Sequence, residues 1–182
     1  MKQSLISRRS FLSYTASAAL SLWVGRGFAA QTAKAISGMQ LAISFEIAKP
    51  SGGFSKPPYV AVWLENSQGV AVRTVALWYE QSNKGPRWLN ELRRWTSGNK
   101  LESTVSSPTR QPGKYILNWD GKDAKGVALP QGEYYVCIEM AREHGPYQLF
   151  REKVALASSV LTKAFTPDGE LKSVNLEYVK HS

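Results

Sequence analysis

Seven short runs dense in β-branched and aromatic residues recur along the chain, each closed by turn formers, and this punctuation leaves few architectures open. The runs are Met39 to Ile47, Tyr59 to Leu64, Val70 to Tyr79, Lys114 to Trp119, Glu133 to Met140, Gln148 to Leu156 and Leu171 to Val179. Asn66-Ser67-Gln68-Gly69 joins the second and third in hairpin fashion. Strands of this length and spacing predict an all-β fold, a β-sandwich of about seven strands. One segment departs from the pattern. Trp88, Leu89, Leu92 and Trp95 recur at helical spacing between Pro86 and Gly98, which predicts one short helix inserted near residues 87–96.

The N-terminal thirty residues have a different layout. Lys2, Arg8 and Arg9 precede a weakly apolar run from Phe11 to Val24, followed by the small-residue exit Gly27-Phe28-Ala29-Ala30. The apolar run, about 14 residues, is shorter than a bilayer span, so no transmembrane anchor is expected after cleavage. Ser7-Arg8-Arg9-Ser10-Phe11-Leu12 resembles the recognition motif of the twin-arginine pathway, with Arg8, Arg9, Phe11 and Leu12 as the signal-recognition residues. Residues 1–29 are thus expected to be a cleaved signal engaging the twin-arginine translocase. Residues 30–182 are expected to form a single soluble periplasmic domain with a flexible C-terminal tail.

Charge and cysteine count narrow the chemistry further. Setting aside Lys2, Arg8, Arg9 and Arg26, which lie in the signal, lowers the formal charge from +9 to +5. Cys137 is the one cysteine, so an intramolecular disulfide and sites built on sets of cysteines are excluded. Its place in Tyr134-Tyr135-Val136-Cys137-Ile138 predicts a buried, inert thiol.

The stretch from Gly113 to Tyr135 holds Trp119-Asp120-Gly121, then Asp123-Ala124-Lys125-Gly126, then Pro130-Gln131-Gly132-Glu133-Tyr134. It resembles a hairpin in the immunoglobulin-like domain of flagellar hook-capping proteins. Asp and Gly suit such a turn by side-chain-to-backbone bonds and positive φ. With Arg142-Glu143-His144-Gly145, Arg87-Trp88-Leu89 and Leu92-Arg93-Arg94-Trp95, the chain over roughly residues 40 to 160 resembles a periplasmic family catalogued as domain of unknown function 2271. The resemblance implies an immunoglobulin-like sandwich. It also implies a non-enzymatic accessory or binding role in a flavin- or iron-linked extracytoplasmic redox or uptake system, with a membrane-bound flavin reductase or another periplasmic protein as partner. Some relatives carry a flavinylation motif, Asp-x-x-Ser/Thr-Gly-Ala-Thr. The matching stretch runs from Ser103 to Thr109, where Ser106 and Thr109 agree while Ser103, Ser107 and Pro108 replace the Asp, Gly and Ala. An electron carrier with FMN attached at Thr109 is the alternative function that this implies.

Other chemistry is carried by few residues. His144 with Glu143, or with Glu139, would suit a mononuclear metal site if Gly145-Pro146 bends the chain, whereas a histidine bonded to backbone at a strand end is the structural alternative. A Ser-His-Asp set lacks a Gly-x-Ser-x-Gly elbow, and Asp120 and Asp123 already serve the turn, so no catalytic residue is assigned. Neither a phosphate loop nor a dinucleotide fingerprint is present. Between residues 84 and 114, Lys84, Arg87, Arg93, Arg94, Lys100, Arg110 and Lys114 face only Glu91 and Glu102. Arg87, Arg93, Arg94 and Arg110 therefore form a candidate surface for an anionic partner, and export argues against nucleic acid.

Overall fold

The computed structural model describes residues 34–50, 56–99 and 105–181. The signal residues Arg8, Arg9, Phe11 and Leu12, and the Ser103 end of the flavinylation stretch, lie outside the described residues. Residues 32–182 form one compact unit. No described helix is long and apolar enough to cross a membrane.

Among the described residues nine strands make two sheets. They are β1 (Met39–Ile47), β2 (Tyr59–Asn66), β3 (Ala71–Trp78), β4 (Ser106–Ser107), β5 (Gly113–Trp119), β6 (Gly132–Ala141), β7 (Tyr147–Leu156), β8 (Leu161–Phe165) and β9 (Leu171–Lys180). The first sheet has the order β5-β1-β9-β8 and the second β4-β3-β2-β6-β7. β1 alternates strictly between apolar residues and Gln40, Ala42, Ser44 and Glu46, so Leu41, Ile43 and Phe45 all point into the space between the sheets. Val174, Leu176 and Tyr178 of β9 join them there and meet Val60, Val62 and Leu64 of β2 and Val136, Ile138 and Met140 of β6. Fully burying each such side chain contributes about 1.5–3 kcal/mol.

The all-β sandwich expected from the sequence is what forms, and its pairings follow the immunoglobulin pattern. β1 pairs with β5 in one sheet while β2 pairs with β6 in the other, and β3 and β7 flank that second pair. β9 lies antiparallel to β1 on the side away from β5, where an immunoglobulin domain places its first strand. Tyr134, near the start of β6, donates its hydroxyl to Pro130 O at 2.6 Å, the tyrosine-corner arrangement of such domains.

Four expectations change in detail. The segment from Gly113 to Tyr135 is an arch rather than a hairpin, because β5 pairs with β1 and β6 with β2 in different sheets. Its turn is locally closed: Asp123 Oδ1 accepts from the Lys125 and Val127 N–H groups at 2.8 and 2.9 Å, and Lys122 bridges Ala128. Gly121 has φ +79, and a Cβ there would lie 2.4 Å from Ile36 Cγ2, so only glycine fits. The single helix near 87–96 is two pieces, a 3-10 turn at Gly85–Glu91 and α1 at Arg93–Gly98. They break at Leu92, whose ψ of 72° leaves the helical region. The short β8 and β4 raise the strand number from seven to nine. Finally, β9 runs to Lys180 and the His181 N–H donates to Gly38 O at 2.9 Å, so the chain is held in its sheet where a flexible tail was expected.

The helical segment explains why β2 reads as an unbroken apolar run. Alternate residues of the second sheet face outward, and Ala61, Trp63, Leu77 and Cys137 pack there against Leu89, Leu92 and Trp95. This sheet is therefore buried on both faces.

Candidate functional site

Two glutamates on the outer face of the second sheet fasten the helical cover. Glu139 is fully buried and accepts from the Arg94 and Trp95 backbone N–H groups at 2.9 and 2.8 Å and from the Tyr147 hydroxyl at 2.7 Å. It thus caps α1 from another strand, satisfying donors that a helix start leaves open. Burial, together with the Glu139 carboxylate, pushes the Tyr147 phenol up to about 12. Glu65, 3% exposed, accepts from Arg94 Nε and Nη2 at 2.8 and 2.7 Å, from Arg151 Nε at 2.9 Å and from Trp63 Nε1 at 3.1 Å. Burial alone would raise the Glu65 carboxyl, but the bonds from Arg94, Arg151 and Trp63 outweigh it and hold it below its ordinary value.

Arg94 is accordingly removed from the partner surface. Its guanidinium is committed to Glu65 and locks the cover in place. Arg110 belongs elsewhere as well. It lies over the Trp78 ring at 4.3 Å and the Tyr115 ring at 5.4 Å, at the open edge between the sheets. Arg87 and Arg93 are the two that stay exposed on the cover. Arg87 lies over Trp88 at 5.4 Å, and Arg93 lies over Tyr147 at 4.7 Å with a 3.9 Å contact to Glu91.

The turn between β6 and β7 completes this face. His144 adopts φ +56 and sets its ring edge-on to Trp88, with centroids 5.0 Å apart. The Gly145 N–H donates to Arg142 O at 3.0 Å, closing the turn. A tight turn with a left-handed residue thereby presents His144 outward against the ring that carries Arg87. The other motif residues divide their work. Arg142, 4% exposed, donates Nε to both Glu170 oxygens at 2.8 Å and Nη1 to Lys56 O, so it clasps three loops. Its Nη2 finds no partner among the described residues.

Glu143 is ion-paired with Lys56, whose bond holds its carboxyl below the ordinary range. Lys56, Pro57, Tyr59, Glu80, Thr109 and Glu143 line a pocket of about 220 Å³. Thr109 and Glu143, far apart in sequence, therefore share a wall. Burial, with Glu80 adding to it, raises the Tyr59 phenol, which donates to Gly85 O at 3.0 Å.

The metal expectation changes. Glu139, one of its candidate ligands, directs its oxygens to α1 and Tyr147. Among the described residues no group of three or more His, Cys, Asp or Glu side chains is placed to hold an ion. Cys137 is buried under the cover and burial pushes its thiol far up, the inert state expected. Sequence reasoning overlooked Glu65, Glu139 in its capping role, and Arg151. The available signal was Glu65 and Glu139, each directly adjoining an apolar run of its strand.

Residues 40–173 match the model of a family described as "Predicted periplasmic protein (DUF2271)". No curated protein and no solved structure matches the chain.

Proposed function

This chain belongs to that family of predicted periplasmic proteins, and on that footing we propose that it is a non-enzymatic binding protein that captures an anionic partner through its cationic, aromatic cover. The observation that carries the reading is that exposed Arg87 and Arg93 are each held over a half-buried ring, Trp88 and Tyr147, with exposed His144 set against Trp88. Such cations keep their charge in water while the rings fix their direction, which suits a carboxylate- or phosphate-bearing surface. An accessory role in a flavin- or iron-linked extracytoplasmic system, with a membrane-bound flavin reductase as one partner, is the setting that the family resemblance suggests.

The test uses Arg87→Glu with Arg93→Glu, leaving Arg94 intact because it holds the fold. Both sites are exposed, so folding stability should change by no more than about 0.5 kcal/mol each. Capture of periplasmic proteins by the immobilised double variant should fall about tenfold or more, and wild-type capture should weaken as salt is raised. An unchanged set of captured proteins at equal yield would refute the assignment.

A second reading, FMN esterified to Thr109, draws support from the position of Thr109 on the wall of the pocket beside Lys56. Glu80 and Glu143 on the same wall oppose a phosphodiester, and Lys56 is already paired. Co-expression with a flavin transferase followed by in-gel fluorescence decides it: we expect no flavin band, and a band lost in Thr109→Ala would establish the carrier instead.

A further inference from the structure

Among the described residues each sheet ends in strands with an open edge, and three of the four edges are protected. β4 has two residues, β7 carries Arg151, Glu152 and Lys153 in succession, and the five-residue β8 has Lys163 at its centre. β5 differs. It is seven residues long, has no proline within it, and places Ile116, 68% exposed, at its midpoint. Lys114 is the only charged residue in the strand.

We propose that β5 is a self-pairing edge, and that two copies of this chain associate through antiparallel β5–β5 contact about a two-fold axis at Ile116, joining their four-stranded sheets into one of eight strands. The sequence of β5 is complementary to its own reverse. With Ile116 opposite Ile116 of the second copy, Tyr115 falls opposite Leu117 and Lys114 opposite Asn118. Tyr115 and Leu117 are half-buried against the core, and Tyr–Leu contact across the seam covers what the open edge leaves exposed. Charge does not oppose the pairing, since Lys114 is the single charge of the strand and meets the neutral Asn118 of the second copy. Within Gly113–Trp119 no like charges meet in this register. A seven-residue ribbon is small beside the roughly 1,000 Å² of a stable interface, so the pairing is reversible and follows concentration.

Sedimentation velocity of the purified chain should show the average mass rising from one copy toward two as concentration approaches about 100 µM. Ile116→Lys puts two ammonium groups at the axis and should hold the protein at one copy without shifting its thermal midpoint. Ile116→Cys supplies a second measurement, because opposed Cα atoms in an antiparallel ribbon lie about 4.5–5.5 Å apart, within disulfide reach. Oxidation by diamide should cross-link it into a two-copy band on non-reducing gels, while the wild type, whose Cys137 is buried, should give none. A mass that stays at one copy throughout overturns the proposal, as does an Ile116→Lys variant that still associates or an Ile116→Cys variant that fails to cross-link. The cover and its partner lie on the other sheet, so none of these results depends on the binding function proposed above.

Discussion

Glu65→Ala is expected to lower the unfolding free energy by about 3 kcal/mol, the low end of what breaking a buried ion pair costs. The low end applies because the side chains of Arg94 and Arg151 are 37% and 28% exposed and can partly rehydrate when the carboxylate is gone. The buried Trp63 N–H also loses its acceptor. For a domain of this size the thermal midpoint should fall by about 6–12 °C, measurable by circular dichroism. The pH dependence has a definite sign. Since the folded Glu65 carboxyl is held below its unfolded value, its contribution is complete above about 4.5 and is lost as pH falls through the folded value. Wild-type protein should thus destabilise below pH ~4.5 more steeply than Glu65→Ala. Parallel acid profiles would mean that Glu65 is not held ionised by its arginines.

Trp95→Ala is expected to cost more, about 3–5 kcal/mol, because it removes a fully buried indole from the seam between the cover and the second sheet. Trp95 is 2% exposed, packs with Leu89, Leu92 and the outward residues of the second sheet, and donates Nε1 to Thr74 Oγ1 at 3.2 Å. Thr74 keeps a bond to Asn99 Oδ1 at 3.1 Å, so the loss is mainly one of packing. The sandwich core lies on the opposite face of that sheet. Urea denaturation with hydrogen exchange should therefore show amides from Leu92 to Thr96 losing protection while those of β1 and β9 keep theirs until global unfolding. Uniform loss across both sheets would show that cover and sandwich unfold as one.

Much of the fold is legible in the residues because burial on one face forces alternation. The bounds of β1 can be read directly from Met39, Leu41, Ile43, Phe45 and Ile47. β2 is harder, since Tyr59 to Leu64 faces a core on each side and its apolar run has no period; only the Trp88 to Trp95 segment hints at what covers it. β8 escapes notice because Lys163 protects a short edge and interrupts the apolar signal. At the site, chain-local reasoning finds the cations but not their partners. Arg93 and Arg94 are adjacent and identical in type, yet one faces solvent and the other a glutamate 29 positions away. Thr109 and Glu143 likewise line one pocket although they lie in loops far apart in the sequence. The turn at Asp123, by contrast, closes through bonds within five residues, and its chemistry is plain in the sequence.

The burial of Cys137 beneath the helical segment makes this chain a timekeeper of its own breathing. No other thiol exists to compete with it, and in the closed state the sulfur is inaccessible and protonated. Reaction with an alkylating reagent must wait for the segment from Gly85 to Gly98 to lift from the second sheet. The rate of modification in native buffer therefore follows the open population of that segment when reclosing is faster than alkylation, and its opening rate when alkylation is faster. Because Arg87 and Arg93 ride on the same segment, a partner that grips them from outside slows a reaction at a sulfur it never touches.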